Sequence, residues 1–111
     1  MEKEDIDLIK VKLCLIVYNC LYNNKLLYRT QKDLAVYNES SLASELGVRK
    51  ATVTDILYCK SLPNTKTIFL ILKAFKLSFS DFATMFDKIT DKEAISHKKY
   101  ISQRMDKLKN L

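Results

Sequence analysis

One glycine, Gly47, and one proline, Pro63, serve a chain of 111 residues, where average usage gives roughly a dozen of the two together. Hairpin loops depend on residues that tolerate positive φ, so sandwiches and barrels with many tight turns are excluded. Tryptophan is absent and there is a single histidine, His97, which has no second ligand nearby to make a metal site. Paired carboxylates, a nucleophile beside a base, and a glycine loop for phosphate are all missing too. The sequence therefore predicts no enzyme, no metal and no cofactor. The three cysteines, Cys14, Cys20 and Cys59, are odd in number and lack CxxC spacing, which points to a reduced, cytoplasmic protein. The longest apolar run, Leu13 to Tyr18, falls well short of the ~18 residues of a membrane span, and the opening MEKEDID is acidic where a secretory signal is basic.

What remains is ample for a core. Hydrophobic residues make up 48% of the chain and charged residues 29%, with a net charge of +6, so wholesale disorder is excluded and a single domain is expected. With so few turn residues, the fold class predicted is all-α.

Ile6, Ile9, Leu13, Ile16 and Cys20 step by three and four, predicting a helix over about residues 5–22. A strand through 9–17 is the rival, because Ile9, Val11, Leu13 and Leu15 also alternate with Lys10, Lys12 and Cys14. Asn23-Asn24 reads as punctuation, followed by a second helix through Leu26, Leu27, Thr30 and Leu34 up to Tyr37-Asn38. Asn38 or Ser40 then caps a short helix that turns Leu42, Ala43 and Leu46 inward and ends at Gly47. Another helix runs from Lys50 to about Leu57 with Val53, Ile56 and Leu57 buried. Beyond Pro63, the segment 64–75 is apolar almost all round and reads as the centre of the core. Ser78 or Ser80 opens a further helix, and Phe69, Phe75, Phe79, Phe82 and Phe86 are assigned to the core. From Thr90 a basic tail helix follows, with Ile95, Ile101, Met105, Leu108 and Leu111 as a sparse apolar stripe that needs a partner surface.

The stretch LASELGVRKATVTDIL, residues 42–57, has the grammar of a helix-turn-helix. Ala43 permits close approach, Gly47 turns the chain, Val48 plugs the gap, and Val53 with Ile56 buries the second helix while Lys50, Ala51, Thr54 and Asp55 point outward. Together with the K-S-L-P turn and the segment PNTKTIFLILKAFKLSFSDF, it resembles the lambda-repressor and Cro family, the xenobiotic-response-element type, over residues 24–86. The resemblance implies a lambda-repressor-like domain at 24–88, with a first helix over residues 26–36, flanked by an extra N-terminal helix at 1–23 and a basic helix or tail at 89–111. It also implies a transcriptional repressor that binds double-stranded DNA as a homodimer and reads the major groove with helix 50–57.

Carried over by position, Lys50, Ala51, Thr54 and Asp55 read bases, with lysine suited to guanine, alanine to a thymine methyl and aspartate to cytosine N4. Ser40, Arg49, Thr52, Lys60, Asn64, Thr65 and Lys66 fall where the family grips phosphate. Three positions depart from the pattern. Cys59 stands in place of a glycine, at an expected strain of ~1 kcal/mol. Glu39 replaces a glutamine that touches phosphate, and Leu57-Tyr58 replaces a polar pair, suggesting an apolar neighbour such as the N-terminal helix. That helix is the first candidate for the dimer face, and the tail helix is the second.

The positive charge is unevenly placed. Residues 38–66 hold four bases against three acids, whereas residues 88–111 hold seven bases against three. The nearly neutral recognition region supports a competing reading, in which the fold is a module for binding a protein partner, as an antitoxin or an antagonist of another regulator.

Overall fold

The computed structural model describes residues 3–109, with the side chains of residues 7–107. They form six helices: α1 (Lys3–Leu27), α2 (Glu39–Leu46), α3 (Lys50–Leu57), α4 (Thr65–Ala74), α5 (Phe79–Lys88) and α6 (Asp91–Lys109). Among the described residues there is no strand, and no helix is long and apolar enough to cross a membrane. Ile6, Leu108 and Leu111 of the predicted apolar stripes lie outside the described side chains.

The segment 9–17 is helical because its apolar residues are needed on two sides at once. Leu13, Ile16 and Val17 face Ile71, Leu72 and Phe82 of α4 and α5, while Leu8 and Val11 meet Ala94 and Ile95 of α6. A helix buried on two flanks loses the clean one-sided stripe of a surface helix. Its dense apolar run is therefore spent within the chain, with Val11, Leu13, Cys14, Ile16 and Val17 all buried. Most of the apolar run that made the N-terminal helix the first candidate for a dimer face is thus buried within the chain, with Leu15 and Tyr18 half-buried.

Two expectations about the region after Asn24 are overturned. Asn23-Asn24 does not interrupt α1, which crosses the expected boundary at 23/24, and no helix forms over 26–36. The Asn24 amide donates from within the helix to the carbonyl of Val36 at 2.9 Å. This fastens a non-helical segment that inserts Val36 into the core and stacks Tyr28 on Tyr37 with centroids 3.8 Å apart. Leu26 and Leu27, expected on that second helix, form the exposed end of α1.

All the helices after α1 except α3 begin at a side-chain cap. Asn38 accepts from Ser41 N at 2.8 Å, and the Ser41 hydroxyl accepts in return from Asn38 N at 2.9 Å. Asn64 caps α4, Ser78 caps α5 and the Thr90 hydroxyl caps the start of α6. Three helices end alike. Val48 N bonds Ala43 O, Lys60 N bonds Asp55 O and Leu77 N bonds Leu72 O, each around a left-handed residue. Those residues are Gly47 (φ 71°), Cys59 (φ 59°) and Lys76 (φ 57°). Only one of the three is glycine, so Cys59 and Lys76 each carry a backbone strain of ~1 kcal/mol that the surrounding packing must overcome.

The main core joins Val17 and Leu21 of α1, Val36 of the segment before α2, Leu42, Ala43 and Leu46 of α2, Val53, Ile56 and Leu57 of α3, and Ile71 of α4, with Val48 packed against it. In α4, however, only Ile71 and Leu72 are buried. Phe69 and Phe79, assigned to the core by spacing, stand 53% and 59% exposed and stack on one another at 5.8 Å. The α4–α5 pair covers α1 from one side only, which leaves its outer aromatic face open.

The tail helix α6 packs on α1. Its buried stripe is Ala94, His97 and Ile101, while Ile95, expected inward, is exposed. Ion pairs tie the two helices, Lys98 to Asp7 and Lys12 to Asp91, both at 3.0 Å. His97 sits 5.2 Å from the Tyr18 ring, with Nε2 3.7 Å from the Cys14 sulfur. Burial holds the imidazole below its ordinary pKa of 6.5. The unfolded chain therefore takes up the proton first. The stability due to the neutral ring is complete above about pH 6.5 and is lost as pH falls toward the lowered native value. Urea midpoints at pH 7.5 and pH 5.0 should differ more for the wild type than for His97→Gln.

Candidate nucleic-acid interface

Helix α3 has one buried face, Val53, Ile56 and Leu57, and one open face. Lys50 and Ala51 are exposed at its first turn, and Thr54 and Asp55 are half-buried one turn on. The second turn of the helix thus packs against the domain while its first turn stands clear. Arg49 occupies the cap position of α3 without a side-chain capping bond, so its guanidinium stays outside the helix-turn-helix.

The hydroxyl of Thr54 is engaged internally. It donates toward Glu39 Oε2 at 3.2 Å and the Lys50 carbonyl at 3.1 Å. A hydroxyl has one proton to share between these acceptors, so Thr54 is a brace between the start of α2 and the middle of α3 more than a freely presented donor. The same bond gives Glu39 an internal partner, although the anion still stands at the opening of α2.

The residues expected at phosphate positions fall into two groups. Ser40, on the first turn of α2, and Arg49 and Thr52, around the start of α3, are exposed. Lys60, Asn64, Thr65 and Lys66 are exposed along the turn after α3 and the first turn of α4. Asn64 spends its carbonyl oxygen on capping Thr67 N at 2.8 Å and keeps only its amide N–H groups for another partner. Cys59, midway along that turn, is half-buried. Its thiol is held below its ordinary pKa chiefly by interaction with the Cys14 thiol, while Cys14 is raised by the same interaction and by burial. Cys14 also donates to the Leu57 carbonyl at 3.0 Å. The end of α3 is thus fastened to α1, which is the apolar neighbour that Leu57-Tyr58 called for.

Sequence reasoning missed a cleft of about 210 Å³ between α1, the start of α2, the end of α3 and α6, lined by Tyr22, Lys25, Glu39, Tyr58 and Arg104 among others. The Arg104 guanidinium donates to the Tyr100 hydroxyl at 2.9 Å. Tyr100 in turn lies 3.4 Å from the Tyr18 hydroxyl, and these two contacts hold its pKa below the ordinary phenolic value. Lys25 and Arg104 stand far apart in the chain, so no local spacing joins them. The only sequence signal was the excess of bases in α6.

Among the described residues no group of three or more histidine, cysteine or acidic side chains could hold a metal ion. No protein-family model matches the chain, and no curated protein or solved structure is similar to it.

Proposed function

We propose that this chain is a sequence-specific, double-stranded DNA-binding transcriptional regulator of the lambda-repressor and Cro kind, acting as a repressor and as a homodimer. The observation that carries the reading is the α2–turn–α3 unit. A capped α2 ends at left-handed Gly47, Val48 packs into the core beneath it, and α3 leaves Lys50 and Ala51 free at its first turn. A helix held in this way can enter a major groove with its N-terminal side chains toward the base edges. Two such helices from a dimer would lie about 34 Å apart, one turn of DNA. In this reading the helix before α2 is α1 itself, in place of the short helix implied by resemblance.

The test is a pair of substitutions. Lys50→Ala is expected to weaken binding to a selected site by ~1–3 kcal/mol and to relax sequence preference. Lys60→Ala is expected to weaken binding to all duplexes alike and to flatten the salt dependence. Site selection from random DNA, read with the oligomeric mass, supplies the duplex. Equal losses on selected and scrambled DNA for both variants would sink these roles.

One observation favours the second reading, a protein-interaction module. The stacked Phe69 and Phe79 rings form an exposed apolar face on α4 and α5. A wild-type protein that is not retained on random DNA even at low salt would select that reading.

A further inference from the structure

We propose that Arg104 and Lys25 form a grip on a DNA backbone phosphate beside α3, so that α1 and α6 extend the DNA-binding surface beyond the helix-turn-helix; this rests on the DNA-binding reading of α2 and α3. Lys50, Thr54 and Tyr58 are spaced by four along one stripe of α3. Tyr58, the last of them, walls the cleft that holds Arg104 and Lys25. The cleft is thus a continuation of the stripe on which the expected reading residues stand. Glu39, at the opening of α2, lines it too and connects to Thr54.

Lys10, Lys12 and Lys98 are each paired with an aspartate. Several cations of α1 and α6 have no ion-pair partner among the described residues, Lys92, Lys99 and Lys107 included, but Lys25 and Arg104 are the two that line the cleft. Arg104 is nonetheless held in place, bonded to the Tyr100 hydroxyl, and it lines the cleft beside Tyr58. A guanidinium fixed by a neutral phenol keeps its full charge and has N–H donors to spare, a geometry suited to phosphate oxygens. The neighbouring tyrosine hydroxyls add donors of a kind common at DNA backbones. Glu39 sets one negative charge against the two cations, so the cleft remains net positive. Both cations are exposed, so a lone phosphate would be held weakly in water. A duplex that is already docked on α3 brings its phosphate to the cleft at no further cost in association.

The experiment uses the full chain and a random-sequence duplex, with affinity measured by fluorescence anisotropy across a salt series. Arg104→Gln is expected to reduce the slope of log affinity against log salt by about 1, and the double variant with Lys25→Gln by about 2, on every sequence alike. Arg104→Lys keeps the charge and should restore most of the slope. Lys99→Gln, about 140° away around α6, should leave it unchanged. An unchanged slope in Arg104→Gln, or an equal fall in Lys99→Gln, overturns the grip while leaving a steep wild-type slope to support DNA binding. A flat wild-type slope overturns the DNA reading and the grip together. Saturable binding of inorganic phosphate that Arg104→Gln abolishes, with duplex affinity untouched, assigns the cleft to a free anion and also overturns the proposal. Coincident thermal melts of the variants exclude unfolding as the cause.

Discussion

Leu42→Ala is expected to destabilise the protein by about 3–5 kcal/mol, the upper part of the range for a buried leucine. Leu42 is 1% exposed and sits in the main core with Val17, Val53 and Ile71. It is contributed by α2, while its neighbours come from α1, α3 and α4, so no single element can shift to fill the space it leaves. The deletion removes the transfer free energy of the missing carbons and leaves a cavity bounded by four helices that are fixed by caps and by one another. Against a total stability of roughly 5–15 kcal/mol for a domain of this kind, the loss takes a large share. Urea denaturation should show a much lower midpoint at an unchanged m-value, since the surface exposed on unfolding is nearly the same. Leu42→Met, similar in volume, should cost less than about 1.5 kcal/mol. A loss for Leu42→Ala as small as that of Leu42→Met would contradict the packing described.

Ala94→Phe should act on one interface. Ala94 has no exposed surface and lies where α6 meets Leu8 and Val11 of α1. A benzyl group on the enclosed Ala94 must either displace the side chains bordering the adjacent recess, Leu8, Val11 and Ile95, or move α6 outward, at an expected cost of about 1–3 kcal/mol. The ion pairs Lys98 to Asp7 and Lys12 to Asp91 will not hold the helix in place, because exposed pairs contribute on the order of 0–1 kcal/mol each. Hydrogen exchange should report the loss of protection in α6, and its m-value should fall if the helix leaves the surface before global unfolding. The adjacent substitution Ile95→Phe is the control. Ile95 is 51% exposed, so its enlargement should change stability by no more than about 0.5 kcal/mol.

The parts of the fold legible in the sequence are those governed by local rules. Asn38 was readable as a cap beside Ser40 and Ser78 as a helix start beside Ser80, Gly47 as a left-handed stop, and Val53, Ile56 and Leu57 as the inner face of a helix, because each depends on neighbours within one turn. The open positions of Lys50 and Ala51 follow from the same spacing. What failed was set by distant contacts. Residues 9–17 looked ambiguous because a helix covered on two flanks has no single stripe. Asn24 looked like a break, but its amide is spent on Val36 without leaving the helix. Ala94 and His97 did not look like core residues, since alanine is too small and histidine too polar to mark a stripe, yet a close helix contact needs the first and tolerates the second when neutral. The left-handed end at Lys76 was hidden for the converse reason, since tertiary packing there overrides an intrinsic preference that only glycine would have advertised, whereas Cys59 was visible only through the resemblance, as a residue in a glycine's place.

The pairing of α1 with α6 also sets an order of events. Cys14 and His97 are 83 residues apart, and Asp7 and Lys98 are 91 apart, so docking the tail closes a loop nearly as long as the chain. The entropy of such closure must be met before its contacts give anything back, which favours short-range pairings first. The α2–α3 unit, whose partners are neighbours in sequence, is the natural early structure. During synthesis α1 emerges before all the helices that cover it, and its α6 flank has no mate until α6 itself has been made. The rod around which the finished molecule is organised is thus the piece that waits longest to be covered.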